Sequence, residues 1–114
     1  KFYCFDGSVF CWRTQFYQNG CRYHIYYDMD FNDLRISDSH YNRPPENSLT
    51  PPPYFQEMLV IAQDLSRGFK HVRVDFLGIE TTFYMGEMTF FDGSGYDNYV
   101  PESFDYEMGA LIKL

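Results

Sequence analysis

Apolar and polar residues alternate along the first third of the chain, the period of a half-buried strand. Lys1 to Phe5 reads as a first strand, and Asp6-Gly7 is a tight-turn signal. Val9 to Tyr17 follows as a second strand, Asn19-Gly20 as a second turn and Arg22 to Tyr27 as a third strand, so this region predicts an antiparallel meander. From Ser37 to Pro53 the alternation stops. Asn42, Pro44, Pro45, Asn47 and the run Pro51-Pro52-Pro53 predict a loop, because proline lacks the N–H that a helix interior or a ladder needs. Between Tyr54 and Arg67 the period becomes helical: Phe55, Met58, Leu59, Ala62 and Leu65 fall on one stripe. The prolines before it suit a helix start, Gly68 suits its stop, and Arg67 complements the dipole in the last turn. Two strands are predicted next, Phe69 to Leu77 and Phe83 to Phe90, joined through Gly78 to Thr82. A loop carrying Asp92-Gly93-Ser94-Gly95 leads to a second helix over Glu102 to Leu114, with Phe104, Met108, Leu111 and Ile112 on one side. The order predicts an α+β fold: an antiparallel sheet with two helices packed on one face.

Composition sharpens this. The chain has 114 residues, the size of one domain or subdomain. It holds 11 Tyr and 12 Phe, an excess that favours strands. The net charge of −7, with 9 Lys and Arg, excludes a non-specific nucleic-acid binder, which needs a basic surface. No apolar run approaches the roughly 20 residues that span a bilayer. Cys4, Cys11 and Cys21 are odd in number and lack CxxC spacing, so they are expected to be small apolar strand residues in a reducing, cytoplasmic compartment. A strand begins at once at Lys1, so the chain is expected to be part of a longer protein.

One stretch carries candidate chemistry. In the strand His71-Val72-Arg73-Val74-Asp75-Phe76, Arg73 and Asp75 share a face opposite Val72, Val74 and Phe76. Met85, Glu87 and Thr89 are expected to share a face of the next strand. Closing the hairpin symmetrically about Thr81 puts Asp75 opposite Glu87 and Arg73 opposite Thr89. Directly opposed carboxylates cost about 0.2–1 kcal/mol, and a divalent cation between them removes the conflict. Two carboxylates with phosphate oxygens and water are what Mg²⁺ favours, and Thr89 could add a hydroxyl. Arg73 would donate its fork to a phosphate oxygen, and Gly93-Ser94-Gly95 lets backbone N–H groups approach an anion. The same alternation equally describes a solvated hairpin on which Arg73 simply pairs with Asp75 or Glu87.

Val72-Arg73-Val74-Asp75-Phe76, Tyr84-Met85-Gly86-Glu87-Met88-Thr89-Phe90 and Gly93-Ser94-Gly95 together resemble the C-terminal motif of ATP-grasp enzymes. More closely, the chain resembles the TupA-like ATP-grasp family, often labelled glycosyltransferase. Lys1-Phe2-Tyr3-Cys4-Phe5-Asp6-Gly7, the helix residues Glu57-Met58, Ile61-Ala62 and Leu65-Ser66, and Pro101, Gly109 and Leu114 extend the likeness over nearly the whole chain. The resemblance implies a C-terminal ATP-grasp subdomain over residues 1–114, with ATP and Mg²⁺ as cofactors. It implies Asp75 and Glu87 as metal ligands, Thr89 at the position where other ATP-grasp ligases carry Asn, and Arg73 as the catalytic phosphate or acyl-phosphate contact. Gly93, Ser94 and Gly95 would contact nucleotide phosphate or acceptor. The implied reaction joins a small-molecule or polymer-linked carboxylate to an amine, in cell-surface polysaccharide or teichuronopeptide assembly. The adenine pocket would come from an N-terminal lobe upstream of Lys1, so this stretch alone is expected to be inactive and, with that face uncovered, to form homo-oligomers. The alternative is a non-catalytic binding module or a glycosyltransferase-associated domain.

The remaining candidates read as structural. His24, His40 and His71 are scattered surface or strand histidines, although His71 shares the face of Arg73 and could reach a phosphate. Asp28, Asp30 and Asp33 lack the spacing of a calcium loop. Trp12 with Tyr23, Tyr26 and Tyr27 suits a packed face better than a sugar platform.

Overall fold

A computed structural model describes residues 1–38, 43–44 and 50–114. The meander is present as β1 (Phe2–Phe5), β2 (Ser8–Gln18) and β3 (Cys21–Tyr27). Its two turns are Asp6-Gly7, with φ of 46° and 83°, and Asn19-Gly20, with φ of 51° and 76°. Both pairs lie in the left-handed region that two-residue hairpins require, which is why Asp-Gly and Asn-Gly mark them so clearly. The chain then forms β4 (Ser37–Asp38), α1 (Phe55–Ser66), β5 (Val72–Ile79), β6 (Thr82–Thr89), β7 (Tyr99–Val100) and α2 (Ser103–Ala110).

Five strands make one antiparallel sheet in the order β3-β2-β1-β5-β6. β1 is central, so the chain crosses from the β3 edge through α1 to β5, on the other side of β1. A second, two-stranded sheet pairs Ser37 with Val100 and Asp38 with Tyr99. β4 falls at the start of the stretch expected to be loop; two residues are too few to show a period. Of that loop, Asn42, Pro45 and Asn47 lie outside the described residues, as does His40.

The α+β class, the antiparallel sheet and the two helices agree with the sequence reading, but the helices do not share a face. Side chains alternate along β1, so Phe2 and Cys4 point one way and Tyr3 and Phe5 the other. Phe2, Cys4, Trp12, Ile25, Val72 and Val74 form a core with Phe55, Met58 and Ala62 of α1. Tyr3, Phe5, Cys11 and Tyr26 form a second core with Phe104 and Met108 of α2. The central strands are apolar on both faces and need a cover on each. In α1 the buried stripe ends on Ser66 rather than Leu65, which is exposed. α2 stops at Ala110, leaving Ile112 and Leu114 exposed. Of the cysteines, Cys4 and Cys11 are buried and Cys21 is exposed; all three are free. Burial pushes the Cys4 thiol up to about 11, so it is no nucleophile near neutral pH.

The β5–β6 hairpin positions the candidate site by an unexpected route. Its turn is the two residues Glu80 and Thr81, with Ile79 paired to Thr82 and Phe76 to Met85. Alone, that register would leave Asp75 opposite Gly86. A β-bulge between Asp75 and Phe76 makes Gly86 the extra residue and restores the pairs Asp75–Glu87, Val74–Met88 and Arg73–Thr89. The bulge also reverses the side-chain alternation. Phe83, and with it Met85, faces α1, so Met85 does not share a face with Glu87 and Thr89 as expected. A Cβ at Gly86 would lie 3.3 Å from the Asp75 carbonyl oxygen, closer than side chains usually approach. Val74, fully buried beneath this hairpin, anchors it to the α1 core. Val74→Ala should destabilise the fold by about 2 kcal/mol, measured by denaturant unfolding; a loss below about 0.5 kcal/mol would contradict this packing.

Candidate functional site

The site is organised around one guanidinium. Arg73 is only 7% exposed, and Asp75, two residues on, is 5% exposed. Arg73 Nε donates to Asp75 Oδ1 and Nη2 to Asp75 Oδ2, both at 2.8 Å, a two-pronged charge-assisted pair. Nη2 also lies 3.3 Å from Glu87 Oε1 and 3.3 Å from Thr89 Oγ1, and Thr89 Oγ1 donates to Glu87 Oε1 at 3.1 Å. Nη1 donates to Asp92 Oδ1, whose other oxygen accepts from the Tyr3 hydroxyl at 3.3 Å. Asp75 and Glu87, paired across the ribbon, thus both reach a single nitrogen of Arg73 from the same sheet face. Glu87 remains open to solvent, with 62% of its side chain exposed.

Lys1 completes the charge pattern. Its Nζ donates to Asp75 Oδ2, because Phe2 pairs with Val74 and brings the preceding Lys1 beside Asp75. Two cations, Arg73 and Lys1, therefore face three carboxylates: Asp75, Glu87 and Asp92. Burial opposes ionisation of Asp75, but the hydrogen bonds and charges of Arg73 and Lys1 outweigh it and hold the carboxyl below the ordinary carboxylate range. Burial likewise opposes the charge on Arg73, and Asp75 and Asp92 more than restore it.

Lys1 and Asp92 were not among the residues singled out from the sequence as metal- or phosphate-binding. Lys1 meets Asp75 only because β1 and β5 are neighbours, a long-range pairing without a local signal. Asp92 precedes Gly93, and an Asp-Gly pair already reads as turn chemistry.

Gly93, Ser94 and Gly95 form a left-handed turn with φ of 55°, 55° and 80°. The Asp97 carboxyl lies 2.2–2.4 Å from where a Gly93 Cβ would be, so any side chain there would push that carboxyl aside as well as adopt a left-handed φ. The turn is solvent-exposed, and Asp92 at its start ties it to Arg73. A cavity of about 690 Å³ reaches Lys1, Arg13, Asp75, Gly86 and Glu87. A second, of about 750 Å³, reaches His71, Phe91, Asp92 and Gly95. The Arg73 cluster lies between them.

Among the described residues, no group of three or more His, Cys, Asp or Glu side chains is gathered to hold a metal ion. Asp75, Glu87 and Thr89 offer two carboxylates and a hydroxyl. That set of hard oxygen donors fits Mg²⁺ when substrate phosphates and water supply the rest.

The other candidates have structural partners. His24 is buried in β3: its Nδ1 is 2.5 Å from Asp38 Oδ2 and its Nε2 3.1 Å from Gln15. Asp38 also accepts from the Tyr26 hydroxyl at 2.8 Å and faces Arg13 at 3.5 Å, which fastens β4 to the sheet. His71 Nδ1 meets the Cys4 carbonyl at 3.1 Å with its ring 4.6 Å from Phe5, and burial lowers its basicity. Asp28 accepts backbone N–H bonds from Asp30 and Asn32, and Asp33 pairs with Arg43. Trp12 is a core residue stacked on Tyr27 at 4.4 Å.

A carboxylate held below its unfolded value stabilises the fold above about pH 3.9. That contribution disappears as pH falls through the lowered folded value. The melting temperature of the protein should exceed that of Asp75→Asn at neutral pH, and the gap should close below about pH 3.9. Thermal melts from neutral to strongly acid pH measure this; a gap independent of pH would mean that Asp75 is not held ionised.

Comparison with known proteins adds the family. No curated protein and no solved structure matches the chain. The family model described as TupA-like ATPgrasp matches residues 1–113, a span that contains both strands of the Arg73 ribbon and the turn after it. The chain belongs to the TupA-like ATPgrasp family.

Proposed function

We propose that this chain forms the phosphate- and Mg²⁺-binding part of an ATP-dependent carboxylate–amine ligase. Family membership supports an ATP-grasp-related role, and the finer reading rests on one observation: Asp75 and Glu87 converge on Arg73 from adjacent strands and both line one cavity. Asp75, Glu87 and Thr89 would hold Mg²⁺, which when bound neutralises charge on the nucleotide phosphates. In the reaction, a substrate carboxylate oxygen takes the terminal phosphoryl group of ATP, releasing ADP. The amine nitrogen then attacks the acyl carbon, the acyl C–O bond to phosphate breaks, and the proton lost from nitrogen leaves with the phosphate. Arg73, rigid on its carboxylate partners, would offer its positive charge to the transferring phosphoryl oxygens without reorganising. The open Gly93–Ser94–Gly95 turn would receive phosphate or acceptor.

Residues 1–114 would act as the C-terminal subdomain of an ATP-grasp unit whose other lobe supplies the adenine pocket. The likeness of the motifs favours an enzyme of cell-surface polymer assembly, and the three free cysteines favour a reducing, cytoplasmic compartment. Among the described residues no helix is long and apolar enough to cross a membrane.

A second reading, in which the ribbon is a structural strut of a binding module, draws on the engagement of Asp75 by both Arg73 and Lys1. The two readings differ in turnover. Under the ligase reading, Asp75→Asn and Glu87→Gln in the full-length protein should each lower ADP release at least about 100-fold and remove metal-dependent ATP binding. Arg73→Lys should lose activity too, because an ammonium cannot reproduce the fork. Full activity in the Asp75 and Glu87 variants would leave only the strut.

A further inference from the structure

The Asp75 carboxylate has little room for another cation. Arg73 takes both oxygens through its fork, and Lys1 Nζ takes Oδ2 a second time. The two cations are held very differently. Arg73 is tied to Asp75, Glu87, Thr89 and Asp92 and is nearly buried. The Lys1 side chain is 25% exposed, and its ammonium meets Asp75 from the wall of the 690 Å³ cavity that Glu87 also lines. A compact ammonium on a four-carbon stem can swing where a guanidinium fork on four partners cannot. Asp75 Oδ2 already serves two cations, and a third at contact distance would add repulsion that the site relieves most readily by releasing the more loosely held of the two.

On the reading of Asp75 and Glu87 as metal ligands, we propose that Lys1 is the resident counter-cation of the site. In the metal-free protein it holds Asp75 in place by occupying Oδ2. When a divalent ion arrives, Lys1 yields that oxygen and turns its ammonium to the phosphate oxygens of the nucleotide in the same cavity. Lys1 thus competes with the metal when metal comes alone and cooperates with it when metal comes with nucleotide.

These opposite signs make the test. Mn²⁺ serves as the probe in the full-length protein, with binding of the ion alone read from the loss of its free paramagnetic resonance signal and binding of Mn²⁺–ATP by titration calorimetry. Lys1→Gln should tighten Mn²⁺ alone about two- to fivefold and weaken Mn²⁺–ATP by a similar factor, the scale of one partly screened ion pair. Lys1→Arg, which keeps the charge, should return Mn²⁺ alone to the weaker wild-type affinity. If Asp75→Asn abolishes Mn²⁺ binding while Lys1→Gln leaves it unchanged or weaker, the role given to Lys1 is wrong and the ligand assignment stands. If Asp75→Asn leaves Mn²⁺ binding intact, the ligand assignment falls and the role of Lys1 with it.

Discussion

A guanidinium that is almost wholly removed from water is stable only when carboxylates and hydroxyls replace the hydration it has lost. Arg73 meets that condition through Asp75 on its own strand, Glu87 and Thr89 on the next and Asp92 after it. The constraint explains why these elements sit as they do. β5 and β6 must pair in the register that aims Glu87 and Thr89 at Arg73, and the chain after β6 must turn back so that Asp92 reaches Nη1. Tyr3, opposite Arg73 on β1, adds its hydroxyl to Asp92 and joins the central strand to the same network.

The two faces of the sheet divide the work. Towards α1 the strands present Phe2, Cys4, Val72 and Val74, an apolar surface without charged groups. Towards α2 they present Tyr3, Arg73 and Asp75, and further along Arg13, His24 and Tyr26 clustered on Asp38. The α1 core and the second core beneath α2 together fix the backbone from which these polar groups project, a sound foundation for a site that needs side chains held in place.

Local chemistry was legible in the sequence; long-range pairing was not. Asp6-Gly7 and Asn19-Gly20 announced their turns because few other residue pairs tolerate two positive φ angles. The stripe through Phe55, Met58 and Ala62 announced α1 because only a helix puts those residues on one side. Alternation placed Arg73 beside Asp75. The strand neighbours of β1 had no such marker, so the contact of Lys1 with Asp75 was hidden, and so was the placing of α1 and α2 on opposite faces. β4 and β7 are two residues each, too short for periodicity to register. The pairing of Asp75 with Glu87 could be reached by assuming a symmetrical hairpin, yet the molecule achieves it with a two-residue turn and a bulge.

That bulge separates the length of the ribbon from the aim of its acids. Everything from Phe76 through the turn to Met85 forms a cantilever beyond Gly86, with one strand residue matched to one on its partner. Matched pairs could be added to or trimmed from the far end, and the fingertip could be redecorated, while Glu87 stayed trained on Arg73. Without the bulge, Gly86 would pair with Asp75 and Glu87 with Val74, which would throw the carboxylate to the α1 side. The ribbon's outer end is thus free to diversify, and its inner end keeps time for the acidic pair.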